Sequence, residues 1–524
     1  MPRPSRRRGI GGVRDGAPPR CPSPVWEKWW WGAPTRGAVR SDRGAHGRVP
    51  MTCATWLRPW GPVQGTPRSP CDDRVLFPLI VSSPDQLPGT DSHPRHQRCR
   101  RRLGVFAIGI VATALVGLCA TGCGGASDAP VAEYRVRPVR TVHLVVPLGL
   151  AGGDAKDMRA AVEMALADGG GAIPGVRVRL RTSNTSGATG AESVARGVDA
   201  AETAAIDPYS LAVIGSITSN GMRQMAPILN RAGLLHVSVT ATAVDLTRRD
   251  DGLPAPPTAV APTGIRTIVR VVPNDLVQSK ALATYMRDEG VTSVSVVRDR
   301  TMYGQGLGRD VENAARGLGL KSDGPPITIT PQNAAEVGRA VGIRHKDDND
   351  RWALMIATND PITALRVARA AGESDDQVVI FAPDGLALRG FHARLGRLES
   401  RTYITSYVLP IAAYGPRGKA AYDRLVKRLG HAPSSLVLFA YEGMALTLDS
   451  IRKANETAGF VDMPIDSERK LVRDAAFATD MRDSVIGTYS IDIFGDTTTT
   501  LFGGYRVEDG KLVRGRTFAT GSVS

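Results

Sequence analysis

A chain of 524 residues, 42% hydrophobic and 22% charged, can build two or more domains around a sizeable core, and it is neither collagen-like, disulfide-stapled nor wholly disordered. The net charge of +15 would suit a nucleic-acid partner, but residues 1–122 carry 19 Lys and Arg against 7 Asp and Glu; the rest is close to neutral and no nucleic-acid partner is expected. No cysteine follows Cys123, so the body beyond it has neither disulfides nor thiolate metal sites.

Residues 1–98 are rich in Arg, Pro and Gly and show no apolar period of 3.6 or 2.0. Such a stretch buries too little apolar surface to offset chain entropy. It reads either as sequence upstream of the true start or as a disordered cytoplasmic extension. Residues 99–122 read as an export signal: Arg98-Cys99-Arg100-Arg101-Arg102 precedes an uncharged run from Leu103 to Gly122. The run ends Leu118-Cys119-Ala120-Thr121-Gly122-Cys123, which resembles a bacterial lipoprotein box. That resemblance implies cleavage before Cys123 and lipidation of its sulfur, although Ala120 stands where Leu is usual. The alternative is an uncleaved transmembrane helix over 103–122. Residues 123–138 then form a tether, and either way the body is held outside the membrane from its N-terminus.

From Thr141 onward, strands alternate with amphipathic helices. The pattern predicts strands at 141–147, 176–181, 211–215 and 234–238, with helices at 154–168, through about 204, and at 219–232. A second series follows: strand 293–298, helix 304–318, strand 353–357, helix 361–371 and strand 378–382. Alternation of this kind builds parallel sheets covered by helices on both faces. The number of units calls for two doubly wound lobes. Extended crossings are expected at 266–274, 402–410 and near 486–493.

Catalytic motifs are missing. There is no GxxxxGK[ST] loop, no GxGxxG after a strand and no GxSxG elbow. His143, His236, His345, His392 and His431 are scattered without metal spacing, and read as core or surface residues. Neither an enzyme nor a cofactor or metal site is expected. The informative residues follow the strands, because open parallel sheets bind ligands beyond their strand C-termini. Ser216-Ile217-Thr218-Ser219 and Val239-Thr240-Ala241-Thr242 are hydroxyl clusters at turns. Hydroxyls together with helix N-terminal amides suit a carboxylate. Ser219 and Thr242 are equally readable as helix caps. Asp384 ends a strand before Gly385, where it reads either as a turn residue or as a partner for an ammonium group. Asp360, before Pro361, reads as a helix cap.

In sum, the segments Gly169–Gly175, Ala212–Ser219 (AVIGSITS), Gly233–Thr242 (GLLHVSVTAT), Tyr303-Gly304-Gln305-Gly306, Ala368–Gly372, Pro383-Asp384-Gly385, Phe439–Glu442 and Ile486–Tyr489 resemble, in order and spacing, the type I periplasmic binding proteins. The resemblance is to the branched-chain amino-acid branch that serves ABC importers, and runs from about Thr141 to Thr517. It implies two lobes joined by three hinge crossings and closing on a ligand. Residues 139–520 would form this domain, lobe one from about 139–270 and 407–487, lobe two from about 271–406 and 488–520. By resemblance, Ser219, Thr240 and Thr242 hold the ligand's carboxylate and amino group, Asp384 holds its ammonium, and Tyr303 lines the cleft. Thr358, or Ala357 beside it, stands where the family carries a lobe-two aromatic, so Thr358 is also expected in the pocket. The first loop, Leu148–Gly153, lacks the usual Ser/Thr-Gly-Pro form, and Thr182-Ser183-Asn184 replaces acidic residues. Both departures alter the pocket wall, so the ligand need not be Leu, Ile or Val. The expected partners are an amino-acid-like small molecule, an ABC permease and the lipid on Cys123. The rivals are the same fold reporting to a signalling partner, and an exported hydrolase using Ser219.

Overall fold

The computed structural model describes residues 138–520 except 151–152, 171–172, 189–190, 250, 346–349 and 388–389. The leader, the signal segment and Cys123 lie outside the described residues.

The first lobe is a five-stranded parallel sheet in the order β2-β1-β3-β4-β5. β1 (Val139–Val146) is rich in β-branched and apolar residues, with Arg140 and His143 among them, and is buried in all but its first position, as a central strand covered on both faces requires. β2 (Arg177–Asn184) is an edge strand whose Arg177, Arg179 and Arg181 alternate outward; charge on an open edge discourages pairing with another chain. β3 (Ser210–Ile214), β4 (Leu235–Ser238) and β5 (Ile268–Arg270) complete the sheet. Helix α1 (Asp154–Gly169) lays Met158, Ala161, Val162 and Ala165 on one face, against Val142, Leu144 and Val146. Helices α2 (Val194–Ile206) and α3 (Ser219–Arg231) cover the opposite face, burying Ala201, Ala204, Met225 and Leu229 against Val145 and Val213.

The second lobe runs β15-β14-β11-β10-β9-β6-β7, with β8 on the side of β6. Its parallel core is β6 (Ser293–Arg298), β9 (Trp352–Ala357), β10 (Val379–Ala382) and β11 (Thr402–Ser406), with short β7 (Lys321–Ser322) and β8 (Ile327–Thr328) at one margin. α4 (Asp275–Asp288) and α5 (Met302–Gly317) bury one face, while α6 (Ala334–His345) and α7 (Pro361–Ser374) bury the other. The four-residue helix α8 (Asp384–Ala387) follows β10 directly.

Two further regions complete the lobes. Helices α9 (Pro416–Leu429), α10 (Val437–Ala458) and α11 (Ile465–Phe477) return the chain to the first lobe, where α10 packs along α1. A Cβ on Gly443 would stand 2.4 Å from Val239 Cγ1, so only glycine lets α10 pass this close to the end of β4. After the small hairpin β12 (Arg482–Ser484) and β13 (Gly487–Tyr489), the chain ends in β14 (Leu501–Glu508) and β15 (Lys511–Ala519). β14 pairs antiparallel with β11 and β15 antiparallel with β14, so the second sheet is mixed rather than wholly parallel.

The chain passes between the lobes after β5, after β11 and before β14. The segment 402–406, expected as a crossing, is itself the strand β11, and the crossing begins beyond it. The first and third passages are tied by Asp496. Its carboxylate accepts from Asn274 Nδ2 and Thr247 Oγ1, both at 2.8 Å, and lies 2.7 Å from Arg270 Nε and 2.8 Å from Arg248 Nε. Arg270 is fully buried, and Phe494 lies under the Arg248 guanidinium at 4.1 Å.

Candidate ligand-binding site

The turns after β3 and β4 carry the two hydroxyl clusters and brace each other. Thr240 Oγ1 donates to the Ile217 carbonyl at 2.7 Å, and the Ala243 amide donates to Ser219 Oγ at 3.1 Å. Beneath them, His236 Nε2 lies 2.5 Å from the Gly215 carbonyl, which can only accept, so the neutral ring donates there and pins the start of the β3 turn. Burial pushes His236 down to about 4, which keeps it in this neutral form. The cap of α3 is Thr218, whose Oγ1 accepts from the Gly221 amide at 3.1 Å and donates to Glu192. Ser219 is therefore not the capping residue. Its oxygen accepts from Ala243, and among the described residues no group takes its hydrogen.

The second lobe contributes Asp384, which opens α8 immediately after β10 and Pro383. Tyr303, at the start of α5, donates from Oη to Asp384 Oδ1 at 2.8 Å, and the Gly385 amide donates to Tyr303 Oη at 3.3 Å. Burial raises the Asp384 carboxyl above the usual carboxylate range, against hydrogen bonds from Tyr303, Gln278 and Gly385 that favour its charge. Burial, and then the charge of Asp384, hold Tyr303 protonated well beyond the usual phenol range.

Ser219, Thr240, Thr242, Tyr303 and Asp384 line one cavity of about 70 Å³. Hydroxyls from the first lobe thus share one pocket with a carboxylate from the second. Leu150, Ala155, Met158, Ile217 and Leu436 form its apolar wall. Leu150 belongs to the unusual first loop. Asn184, at the end of β2, holds that loop: its Oδ1 accepts from the Leu148 amide at 3.0 Å and from Ser186.

Thr358 is a correction. It is fully buried, and its hydroxyl donates to Asp299 Oδ2 at 2.5 Å, clamping the end of β9 to the end of β6. The next residue, Asn359, reaches the cavity instead, because successive side chains leaving a strand point to opposite sides. Asp360 caps α7 through the Ile362 amide, as its place before Pro361 implies.

Sequence reasoning missed Asp154 and Asn359 on the lining, and held Thr218 only as a member of its hydroxyl cluster. It also missed Asp275, in the first turn of α4 and fully buried. Among the described residues only the Thr242 hydroxyl comes near the Asp275 carboxylate, and not in close hydrogen-bonding geometry. Burial and then the charge of Asp384 raise its carboxyl well above the usual range, while the nearby Thr242 hydroxyl pulls the other way. The signal was the pair Asp275 and Gln278, one turn apart on α4. Among the described residues no cluster of His, Cys, Asp or Glu has metal-binding geometry, and no helix is long and apolar enough to cross a membrane.

A sequence profile described as periplasmic binding protein matches residues 144–492, most of the described chain. The chain belongs to the periplasmic binding protein family. Members of this family hold small solutes outside the cytoplasm and are not enzymes. A Leu/Ile/Val-binding protein, BraC3, of Rhizobium johnstonii is 26% identical over 350 residues, covering 66% of this chain and 84% of that one. Two crystal structures share the fold of this binding protein. An ABC transporter substrate-binding protein of Desulfitobacterium hafniense, in complex with Leu, has a TM-score of 0.56 at 19% identity over 72% of this chain and 99% of its own. A solute-binding protein of Rhodopseudomonas palustris, in complex with p-hydroxybenzoic acid, has a TM-score of 0.55 at 17% identity over 73% and 97%. The two lobes of parallel-sheet α/β architecture are those of the type I class.

Proposed function

We propose that this binding protein captures an amino acid or a related small zwitterion and presents it to an ABC permease for import. The observation that carries the reading is one cavity shared by Ser219 and Thr242 from the first lobe and Asp384 from the second. The ligand's carboxylate accepts from the Ser219 and Thr242 hydroxyls near the first turn of α3, where unpaired amides and the helix dipole favour an anion. Its ammonium donates to Asp384, a charge-assisted bond that favours the ionised form of the buried carboxylate. Contacts to both lobes favour a closed state by the differential affinity that any population shift requires. The lobes part to admit the ligand and to release it, and no bond is made or broken. Cleavage before Cys123 and lipidation of its sulfur would hold the protein at the outer face of the membrane, near the permease.

The relatives' ligands divide between Leu-type amino acids and a benzoate. The lining favours the first. A ligand bearing only a carboxylate would meet Asp384 with no cation to compensate, and like charge in a low-dielectric cavity is strongly unfavourable.

A thermal-shift screen of the protein against amino acids, small amides and aromatic acids tests the reading. A ligand at 100 times its Kd adds about 2.7 kcal/mol of stability. Small-angle scattering with and without the hit checks closure; superimposable curves with a tight ligand would remove the closing mechanism.

A further inference from the structure

We infer that Met302 sets the affinity of the site from outside it: seated across the cleft in an apolar pocket of the first lobe, it favours closure for every ligand alike and touches none of them. This builds on the closing lobes of the reading above, whichever solute they hold.

Met302 opens α5, a helix of the second lobe. It is nevertheless buried among first-lobe residues: Met222 and Ala226 of α3, Ala243 after β4, Leu246 of the short turn Val244–Leu246 and Ile268 of β5. Tyr303, one residue on and about 100° round the helix, turns instead to Asp384 and lines the cavity. Met302 is not on that lining. Two consecutive residues thus divide the work, one facing the ligand and the other facing the opposite lobe.

The backbone of Met302 is tied to the second lobe. The Thr301 amide donates to Asp299 Oδ1 at 2.9 Å, the Gly304 amide donates to Thr301 Oγ1 at 3.0 Å, and Thr358 at the end of β9 holds Asp299. When the lobes part, Met302 leaves with α5, and its side chain and the pocket walls return to water. A second contact runs beside it. Arg309 Nη2, two turns along α5, lies 3.6 Å from Asp245 Oδ1 on the same first-lobe turn. That pair is partly exposed and contributes little, so the apolar seat carries the effect.

Burial of apolar surface is favourable and needs no particular partner geometry. Here the gain is realised only in the closed state. The apparent dissociation constant rises as the fraction of competent protein falls. A contact that stabilises the closed state and misses the ligand therefore shifts every affinity by one factor and leaves their ratios alone.

Isothermal titration with L-leucine, L-alanine, benzoate and 4-hydroxybenzoate tests this. Met302→Ala should weaken every probe that the wild type binds by one common factor of about tenfold, 1.4 kcal/mol by the usual conversion, with ratios between probes kept within about twofold. Met302→Leu, apolar and of similar volume, should recover most of the loss. Leu246→Ala, on the opposite wall, should also weaken binding, and the double variant should lose less than the sum, since both remove one contact. Additive losses, or a factor that differs between probes, would assign the effect to the ligand side through Tyr303 and overturn the inference. A lowered melting temperature with unchanged affinity would overturn it as well. The amino-acid reading fails separately: if the two benzoates bind and the amino acids do not, that reading falls, and the common factor is read on the benzoates.

Discussion

The two sides of the cleft are built differently. On the first lobe, the turns after β3 and β4 are stitched by Thr240 to Ile217, Ala243 to Ser219 and His236 to Gly215, so the hydroxyls are fixed before any ligand arrives. On the second lobe, the buried carboxylate of Asp384 leans on Tyr303, and its burial works against its own charge. One side is a preorganised cradle of neutral donors. The other holds an electrostatic demand that a cation meets. On the proposed reading a zwitterionic ligand engages both, which would concentrate its affinity in few groups.

The comparison can be broken most severely at Asp384. Asp384→Ala removes the charged half of a buried pair, and should weaken amino-acid binding by about 2–5 kcal/mol, at least some thirtyfold, in calorimetry. Unchanged affinity would move the ammonium contact elsewhere.

Acid attacks the first lobe from below. His143 and His236 are both pushed down to about 4, chiefly by burial, whereas the unfolded chain takes up protons near 6.5. Their neutral forms thus support the fold fully above pH 6.5, and that support is lost as the pH falls toward 4. The loss is roughly 3 kcal/mol for each histidine. Urea midpoints at pH 7 and pH 4.5 should show it, and His236→Gln should flatten part of the slope.

The smallest effect separates the hydroxyls. Ser219→Ala should weaken binding by about 1.5–3 kcal/mol, the range for a hydrogen bond to a charged group. Thr358→Val should leave affinity unchanged and lower stability by about 1.5–3 kcal/mol, because its bond to the Asp299 carboxylate is structural. Equal effects of the two substitutions on affinity would erase the distinction drawn between them.

Much of this architecture was legible in the sequence, for physical reasons. Strands such as LAVIG and ALMIA are continuous apolar runs because both of their faces are covered, and their boundaries fall within a residue or two of those observed. Hydroxyls after β3 and β4 pointed to the cleft because strand C-termini converge there. Position within the turn was harder to read. Thr218 rather than Ser219 caps α3, and Asn359 rather than Thr358 reaches the cavity, since one residue of register exchanges a buried side chain for a lining one. Asp154 lay hidden because a first-turn acid reads as ordinary helix chemistry until the neighbouring walls are seen. The C-terminal hairpin was missed because its β15 is a mostly exposed edge strand, KLVRGRTFA, with little apolar pattern of its own.

The knot around Asp496 bears on the environments in which such a protein can work. Ions in solution weaken attraction between charges that face water, within about 10 Å at 0.1 M. Arg270 and Asp496 are sealed from water, so brackish and dilute media leave that tie between the first and third passages nearly alike in strength. The ion pairs Lys419–Asp423 and Arg417–Asp483, by contrast, sit in the open and fade as salinity rises.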